Sequence, residues 1–195
     1  ELPGTLSIVQ NSAVWDNNIF SYPVFDMDSY EKASARSDIL NFIFIEEKIY
    51  TDEINKLLTE DKTVVVILMN SHDHSIMVQR KFIIDMMNRG VRVPVIINRT
   101  YSTSAHLKFQ LKSSIDIGSL LIDGLGDGVW LESGSDKGFV NQTAFGILQA
   151  SRMRISKTEY ISCPSCGRTL FDLQETTSKI REVTNHLKGV KIGIM

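Results

Sequence analysis

The chain has 195 residues, 43% of them hydrophobic, which is enough to bury one complete core and part of a second. Its 21 lysines and arginines against 23 aspartates and glutamates give a net charge of -2, so its overall charge gives no reason to expect nucleic acid or an anionic membrane as a partner. No apolar run approaches the roughly 20 residues that cross a bilayer and no basic and apolar leader opens the chain, so we expect a soluble, unprocessed, cytoplasmic protein.

The first forty residues show no sustained period. The stretch from Asn11 to Asp28 mixes asparagine, aspartate and aromatic residues, as loops and short edge strands do. We therefore predict an irregular lead-in. After it, short β-branched runs alternate with amphipathic ones, which predicts an α/β fold of repeated βα units around a mainly parallel sheet.

The predicted elements follow one another with few interruptions. The strands are expected at residues 41–46, 63–69, 93–97, 129–132, 158–162 and 190–195, and the helices at 51–59, 74–89, 104–123, 138–152 and 170–186. The third helix is predicted because Leu107, Leu111, Ile115 and Gly118 recur at three- and four-residue steps, although 119–122 also fits a strand. Basic and polar residues at 152–157 predict a boundary between a domain of residues 1–154 and a second one of 155–195.

Cys163 and Cys166 are the only cysteines, and they lie three residues apart directly after a predicted strand. Thr169 and Asp172 mark the start of the next helix. Two sulfurs at this spacing can face one metal, and a helix N-terminus behind them favours the thiolate that binds it. The spacing alone leaves zinc, an iron–sulfur cluster, thioredoxin-type exchange and coincidence open. A zinc site is less well supported because no histidine has a paired spacing near the cysteines. Thioredoxin-type exchange is less well supported because the cysteine pair comes late, after several βα units.

Two other polar segments follow predicted strands, where open α/β sheets place their ligands. Ser71 to His74 offers two histidines to a metal, but a solvated loop that caps the next helix is the plainer interpretation. The hydroxyls of Asn98 to Ser104 and the following helix N-terminus could hold a phosphate. The plainer interpretation of this segment is ordinary N-capping beside an exposed arginine. Gly124 to Gly128 lacks the glycine spacing of a dinucleotide site and predicts a helix end, with Asp127 capping the turn.

The cysteine segment Thr158-Glu-Tyr-Ile-Ser-Cys-Pro-Ser-Cys-Gly-Arg168 resembles the iron–sulfur segment of the 4-hydroxy-3-methylbut-2-enyl diphosphate synthases. Residues 118–132 and 146–154 also resemble that family, so the specific match runs from about residue 104 to residue 195. By position, residues 1–100 resemble the domain inserted in the long, three-domain form of plants and some bacteria.

The resemblance implies an iron–sulfur oxidoreductase of non-mevalonate isoprenoid biosynthesis. Such an enzyme reductively converts 2-C-methyl-D-erythritol 2,4-cyclodiphosphate to 4-hydroxy-3-methylbut-2-enyl diphosphate, with electrons from flavodoxin or ferredoxin. It also implies a 4Fe-4S cluster, for which Cys163 and Cys166 match the first two cysteine ligands, and a plastid location if the source is a plant. The inserted domain would then resemble part of a TIM barrel, followed by a truncated, sulfite-reductase-like α+β piece.

The family's catalytic TIM barrel, its third cysteine and its ligating glutamate have no match in this sequence. We therefore expect a fragment without a stable cluster or turnover of its own, whose partners include the catalytic barrel of the longer chain. The apolar strand at 190–195 lacks later partners, so self-association is expected. The alternative is a noncatalytic α/β scaffold or interaction domain with a zinc-binding or idle CxxC, and a third hypothesis is an independent α/β enzyme with its site at Ser71 to His74.

Overall fold

The structure is a computed structural model that describes residues 6–17, 20–46, 50–69, 75–103, 105–163 and 170–194. The chain divides into two compact units, Glu1–Ala144 and Phe145–Met195, and each is described by itself. Within the described ranges, no helix is both long and apolar enough to cross a membrane.

The first unit contains a parallel sheet of six strands in sequential order, with helices in the connections from the second strand onward. The strands are β1 (Ile8–Asn11), β2 (Ser21–Asp26), β3 (Asn41–Glu46), β4 (Val64–Met69), β5 (Val95–Tyr101) and β6 (Gly128–Ser133). The helices are α1 (Met27–Lys32), α2 (Asp52–Glu60), α3 (Ser75–Asn88), α4 (His106–Ile122) and α5 (Lys137–Ala150), the last of which ends in the second unit. The second unit pairs β7 (Glu159–Ser162) with β8 (Lys191–Ile194) in parallel, and α6 (Leu173–Thr184) connects them.

The six-stranded sheet is strongly curled. The ring centroid of Phe44 in β3 lies 5.7 Å from that of Trp130 in β6, although β4 and β5 lie between these strands. Neighbouring strands are about 4.8 Å apart, so strands three positions apart in a flat sheet are separated by about 14 Å. The sequential order and this curl are those of a half-barrel of the (β/α)8 type. The prediction of an α/β fold with a mainly parallel, partial-barrel sheet is confirmed.

The centre of the core is β4. Residues 64–68 of this strand are all buried, as a continuous apolar run predicts for a strand covered on both faces. Leu58 of α2 and Phe82 of α3 are buried as well. The hydrophobic run that marked this strand in the sequence therefore forms the centre of the sheet.

A buried ion pair links β5 to α4. Arg99 Nη2 lies 2.6 Å from Asp116 Oδ2, and the hydroxyl of Tyr101 donates to the same carboxylate at 2.8 Å. Arg99 is only 5% exposed. Two buried charges in contact contribute little net stability, but separating them is costly, so the pair fixes the position of α4 on the sheet.

The prediction of an irregular lead-in is wrong. Residues 8–11 and 21–26 are parallel strands, and Asp26 opens α1 with a capping box, its carboxylate accepting from the Ser29 N–H at 2.7 Å. The polar composition belongs to the short connection between the two strands, where Asn11 caps a 3-10 turn and Asn17 has a φ of 54°. Short strands with polar turns between them show too little period to be recognised.

The predicted helix end at Gly124 to Gly128 is confirmed. Gly124 and Gly126 have φ values of 73° and 99°, and the Leu125 N–H donates back to the Leu120 carbonyl at 2.9 Å. Asp127 does not cap this turn as predicted. Its carboxylate accepts from the N–H of Val95 at 2.9 Å, so it ties the turn to the start of β5.

Replacing Gly126 by alanine is expected to destabilise the first unit by about 2 kcal/mol. An added Cβ would lie 2.7 Å from Ile97 Cδ1, on a backbone whose φ disfavours any side chain. Gly124→Ala has the same kind of φ but open space, and is expected to cost about 1 kcal/mol. Gly134→Ala has neither the close contact nor the unfavourable φ, and is the control. Its free energy of unfolding is expected to stay within about 0.5 kcal/mol of that of the parent. Urea unfolding measures all three, and equal losses for Gly126→Ala and Gly134→Ala would contradict the packing argument.

The stability of the chain is expected to fall as pH rises from about 10 to 12. Burial and the hydrogen bond to the Asp61 carboxylate raise the pKa of Tyr30 to about 12, from an ordinary value of about 10. In this window the unfolded chain releases the tyrosine proton while the folded chain keeps it, so the free energy of unfolding decreases. Tyr30→Phe removes this contribution, so its stability should depend less on pH between 10 and 12. Parallel slopes for the two proteins in urea unfolding at several pH values would refute the assignment.

Candidate functional site

The first cysteine stands at the carboxyl end of β7. The backbone N–H of Cys163 donates to the carbonyl of Ile194 at 3.0 Å and so continues the β7–β8 pairing by one more bond. Parallel strands end at the same edge of a sheet, and this bond places Cys163 beside the last described residue of β8. The thiol therefore occupies the edge at which α/β folds bind their ligands.

The amino end of α6 lies on the other side of the cysteine segment in the chain. Asp172 caps this helix by accepting from the N–H of Glu175 at 2.9 Å. The hydroxyls of Ser162 and Thr177 are 3.0 Å apart, which ties the end of β7 to the first turns of α6. Thr169, predicted to mark the helix start with Asp172, lies outside the described residues. A helix N-terminus held near a strand end favours negatively charged groups, including thiolates.

The other end of α6 is fastened to β7 by side-chain hydrogen bonds. Thr158 Oγ1 donates to the carbonyls of Leu187 and Thr184, at 2.7 and 3.1 Å. The Tyr160 hydroxyl lies 2.9 Å from Thr184 Oγ1, and the guanidinium of Arg181 stacks over the Tyr160 ring. None of the side chains described in α6 is fully buried, so these polar contacts carry much of the packing of this small βαβ unit.

The Cys163 side chain is exposed and its thiol is not in a disulfide. Cys166 lies outside the described residues. Within the part of the chain that the structure describes, no three His, Cys, Asp or Glu side chains come together as a metal site. Cys163 is a soft sulfur donor that solvent reaches at the end of a strand, and such a donor fits the iron of a cluster or zinc.

The structure alters the interpretation of the other two segments. Ser71 to His74 lies outside the described residues. In the Asn98 to Ser104 segment, Arg99 is neither exposed nor at the end of a strand, because β5 runs on to Tyr101 and the guanidinium is buried against Asp116. Ala105 occupies the cap position of α4 and makes no side-chain capping bond. The expectation of an exposed arginine beside the cap is therefore wrong, whereas a phosphate held by the hydroxyls of this segment and the helix N-terminus stays a prediction.

One feature near β6 was not indicated by any motif. A cavity of about 520 Å³ follows this strand and the first turns of α5, and its polar lining includes Glu132, Lys137 and Asn141. Asn98 donates to Glu132 at 3.4 Å across β5 and β6. The alternation of Trp130 and Glu132 on one face of a strand was the available signal, but it becomes visible only with the pairing register.

Comparison with known proteins gives a consistent set of relatives. The 4-hydroxy-3-methylbut-2-en-1-yl diphosphate synthase (flavodoxin) of Parabacteroides distasonis is 42% identical over 195 residues, which are 100% of this chain and 32% of the relative. The protein of that name from Bacteroides thetaiotaomicron is 39% identical over 189 residues, 96% of this chain and 31% of the relative.

A plant relative matches a shorter stretch more closely. The chloroplastic 4-hydroxy-3-methylbut-2-en-1-yl diphosphate synthase (ferredoxin) of Arabidopsis thaliana is 50% identical over 112 residues, 56% of this chain and 15% of the relative. No protein-family profile matches the chain. The chain thus spans about a third of the length of the bacterial relatives that it matches over almost all of its own residues.

The Cys163 thiol is expected to react with iodoacetamide in the folded protein, because its side chain is exposed at the end of β7. Mass spectrometry after a short treatment of Cys166→Ser should show one carbamidomethyl group, and the same treatment of the Cys163→Ser/Cys166→Ser double variant should show none. If the Cys163 thiol of the Cys166→Ser variant reacts only after urea is added, the Cys163 side chain is covered in the folded protein, which would contradict the prediction.

Proposed function

We propose, since the chain is homologous over nearly its whole length to the 4-hydroxy-3-methylbut-2-en-1-yl diphosphate synthases, that it works as part of such an enzyme. In this proposal the enzyme reductively opens 2-C-methyl-D-erythritol 2,4-cyclodiphosphate and forms 4-hydroxy-3-methylbut-2-enyl diphosphate. The second unit of this chain supplies thiolate ligands to its 4Fe-4S cluster, and flavodoxin or ferredoxin delivers the electrons.

The observation that carries the proposal is the position of Cys163. Its exposed thiol stands at the carboxyl end of β7, in the segment that leads to the N-terminus of α6. We assign Cys163 and Cys166 as two cluster ligands, on the resemblance of their segment to that of the family. The cluster, when bound, supplies single electrons to the substrate. The helix dipole of α6 favours the thiolate form of the ligands, and the Ser162–Thr177 contact holds the strand end against the helix.

The pairing of β7 with β8 bears on the remaining ligands. Because Cys163 bonds to Ile194, whatever follows β8 in a longer chain leaves the sheet beside the first cysteine. In the family that this sequence resembles, the third cysteine and the glutamate follow at this point of the sequence. Two thiolates are half of the four ligands that a cubane cluster takes, so this chain by itself is expected to hold no stable cluster and to be inactive.

For the first unit we propose a noncatalytic role. The buried arginine of β5, Arg99, is neutralised by Asp116 and so offers no free charge to a diphosphate. Substrate binding is therefore assigned to the catalytic barrel of the longer enzyme. The proposed location is the cytoplasm, or a plastid if the source is a plant.

Anaerobic reconstitution with iron and sulfide tests the ligand assignment. This chain is compared with a version extended through the cysteine and glutamate that follow in its relatives, and visible absorption and bound iron are measured. Only the extended version is expected to hold a cluster, and Cys163→Ser or Cys166→Ser should abolish it. Val183→Ser, which changes an exposed residue at the far end of α6 and leaves both sulfurs, is the control that should retain at least half of the iron.

Two outcomes would overturn the assignment. One is a cluster in the extended version that survives loss of either cysteine. The other is stoichiometric zinc in this chain together with no iron in either version, which would favour a zinc-binding scaffold.

A further inference from the structure

The two units of the chain carry opposite charges. Residues 145–195 contain eight lysines and arginines against four aspartates and glutamates, a net charge of +4, whereas residues 1–144 contain 13 against 19, a net charge of -6. The overall charge of -2 hides this difference. Fields of exposed charges reach about 10 Å at moderate salt, so the second unit attracts anionic partners although the whole chain is slightly acidic.

Four cations of the second unit gather at the amino end of its two-stranded sheet. All four side chains belong to exposed residues, and we call them the basic edge: Arg152, Lys157, Lys188 and Lys191. Glu159 Oε2 lies 2.8 Å from Arg152 Nη1 and 4.0 Å from Lys191 Nζ. Lys157 and Lys188 are brought together by their neighbours, because Thr158 Oγ1 donates to the carbonyl of Leu187 at 2.7 Å.

The basic edge keeps a surplus of positive charge. Glu159 is a single carboxylate beside four cations, and Lys157 and Lys188 form no ion pair with any residue that the structure describes. Exposed ion pairs are also weak, so the charges of Arg152 and Lys191 are only partly offset. An acidic partner would therefore find cations that are not already bound to carboxylates of this chain.

Two apolar side chains lie among these cations. Leu187 and Val190 are exposed by 37% and 41%, and they alternate with Lys188 and Lys191 around the turn at Gly189. Protein interfaces combine an apolar centre with a polar rim, which is the composition found here. Surfaces that bind single-stranded nucleic acid present open aromatic rings to the bases, whereas the ring of Tyr160 on β7 is stacked against Arg181. These features favour an acidic protein as the partner.

We propose that the basic edge, with Leu187 and Val190 at its centre, docks a small acidic protein that carries single electrons. This rests on the proposed function, in which the cluster is bound at the carboxyl end of β7. That end is taken up by the thiolates, the remaining ligands and the substrate, so an electron donor has to approach from another side. Glu159 precedes Cys163 by four residues, about 13 Å along the strand, so a donor at the amino end lies near the cluster without covering it. In each transfer the reduced carrier loses one electron and the cluster gains it.

Titration of the nitrogen-15-labelled chain with oxidised flavodoxin, followed by NMR, tests the docking surface. In about 20 mM NaCl the amide signals around the basic edge should shift, with a Kd in roughly the micromolar to millimolar range of transient redox complexes. About 200 mM NaCl should weaken binding by about tenfold or more, because salt screens the charges.

Charge reversal tests which cations are responsible. Lys157→Glu/Lys188→Glu should weaken binding by about tenfold or more in low salt. The matched control is Lys56→Glu/Lys108→Glu, which makes the same change of net charge with two exposed lysines of the first unit and should alter the Kd by less than about threefold. Circular dichroism checks that both variants fold. Carbodiimide cross-linking to flavodoxin should join its carboxylates to lysines of the basic edge.

Three outcomes would overturn the docking proposal: no binding of flavodoxin in low salt, equal effects of the two double variants, or equally tight binding of a single-stranded DNA of similar charge, which would indicate a general polyanion surface. The titration uses the chain without a cluster. Its failure therefore removes this docking surface alone, whereas failure of the iron reconstitution removes the ligand assignment.

Discussion

Parallel pairing between consecutive strands is the constraint on which the rest of this molecule depends. A strand can lie parallel to its predecessor only if the chain crosses back over the sheet, and this crossover is right-handed in nearly all proteins. Six strands in sequential order therefore place their connecting helices on one side and leave the other side to strand residues alone. Phe44 and Trp130 meet on that side because the sheet bends around them.

The same constraint assembles the cysteine edge of the second unit. With β7 and β8 parallel and α6 between them, both strands end at one edge, where Cys163 bonds to Ile194. The position of the candidate ligand is thus a result of topology, and the polar contacts of Thr158, Tyr160 and Ser162 with the helix fix it further. The first cysteine of the CxxC motif is therefore positioned by β8, a strand about 30 residues later in the sequence.

Local patterns in the sequence were sufficient where a single period or a single residue type determines the structure. The apolar run of β4 and the glycines that end α4 are of this kind, and their elements were predicted to within a few residues.

Prediction failed where a residue distant in the sequence determines the structure. Arg99 reads as a polar residue after a strand, and only Asp116 on the next helix shows why the strand continues through it. Leu107, Leu111 and Ile115, which indicated α4, are exposed, so the period predicted the helix without showing which side faces the sheet. The cysteine spacing by itself left a metal site, thiol exchange and coincidence open, because the choice depends on further ligands that no local pattern specifies.

The bond between Cys163 and Ile194 also has a consequence for the order of events during folding. It closes a loop of about 30 residues, and a contact so far apart in sequence forms after the local helix because more chain entropy must be lost first. Until β8 has docked, the cysteine belongs to a flexible chain, and a metal ion that arrives early meets two thiols with no fixed geometry between them. Under the proposed ligand assignment, metal loading of this unit would therefore follow its last strand in time, and the timing of metal delivery during synthesis would affect its yield.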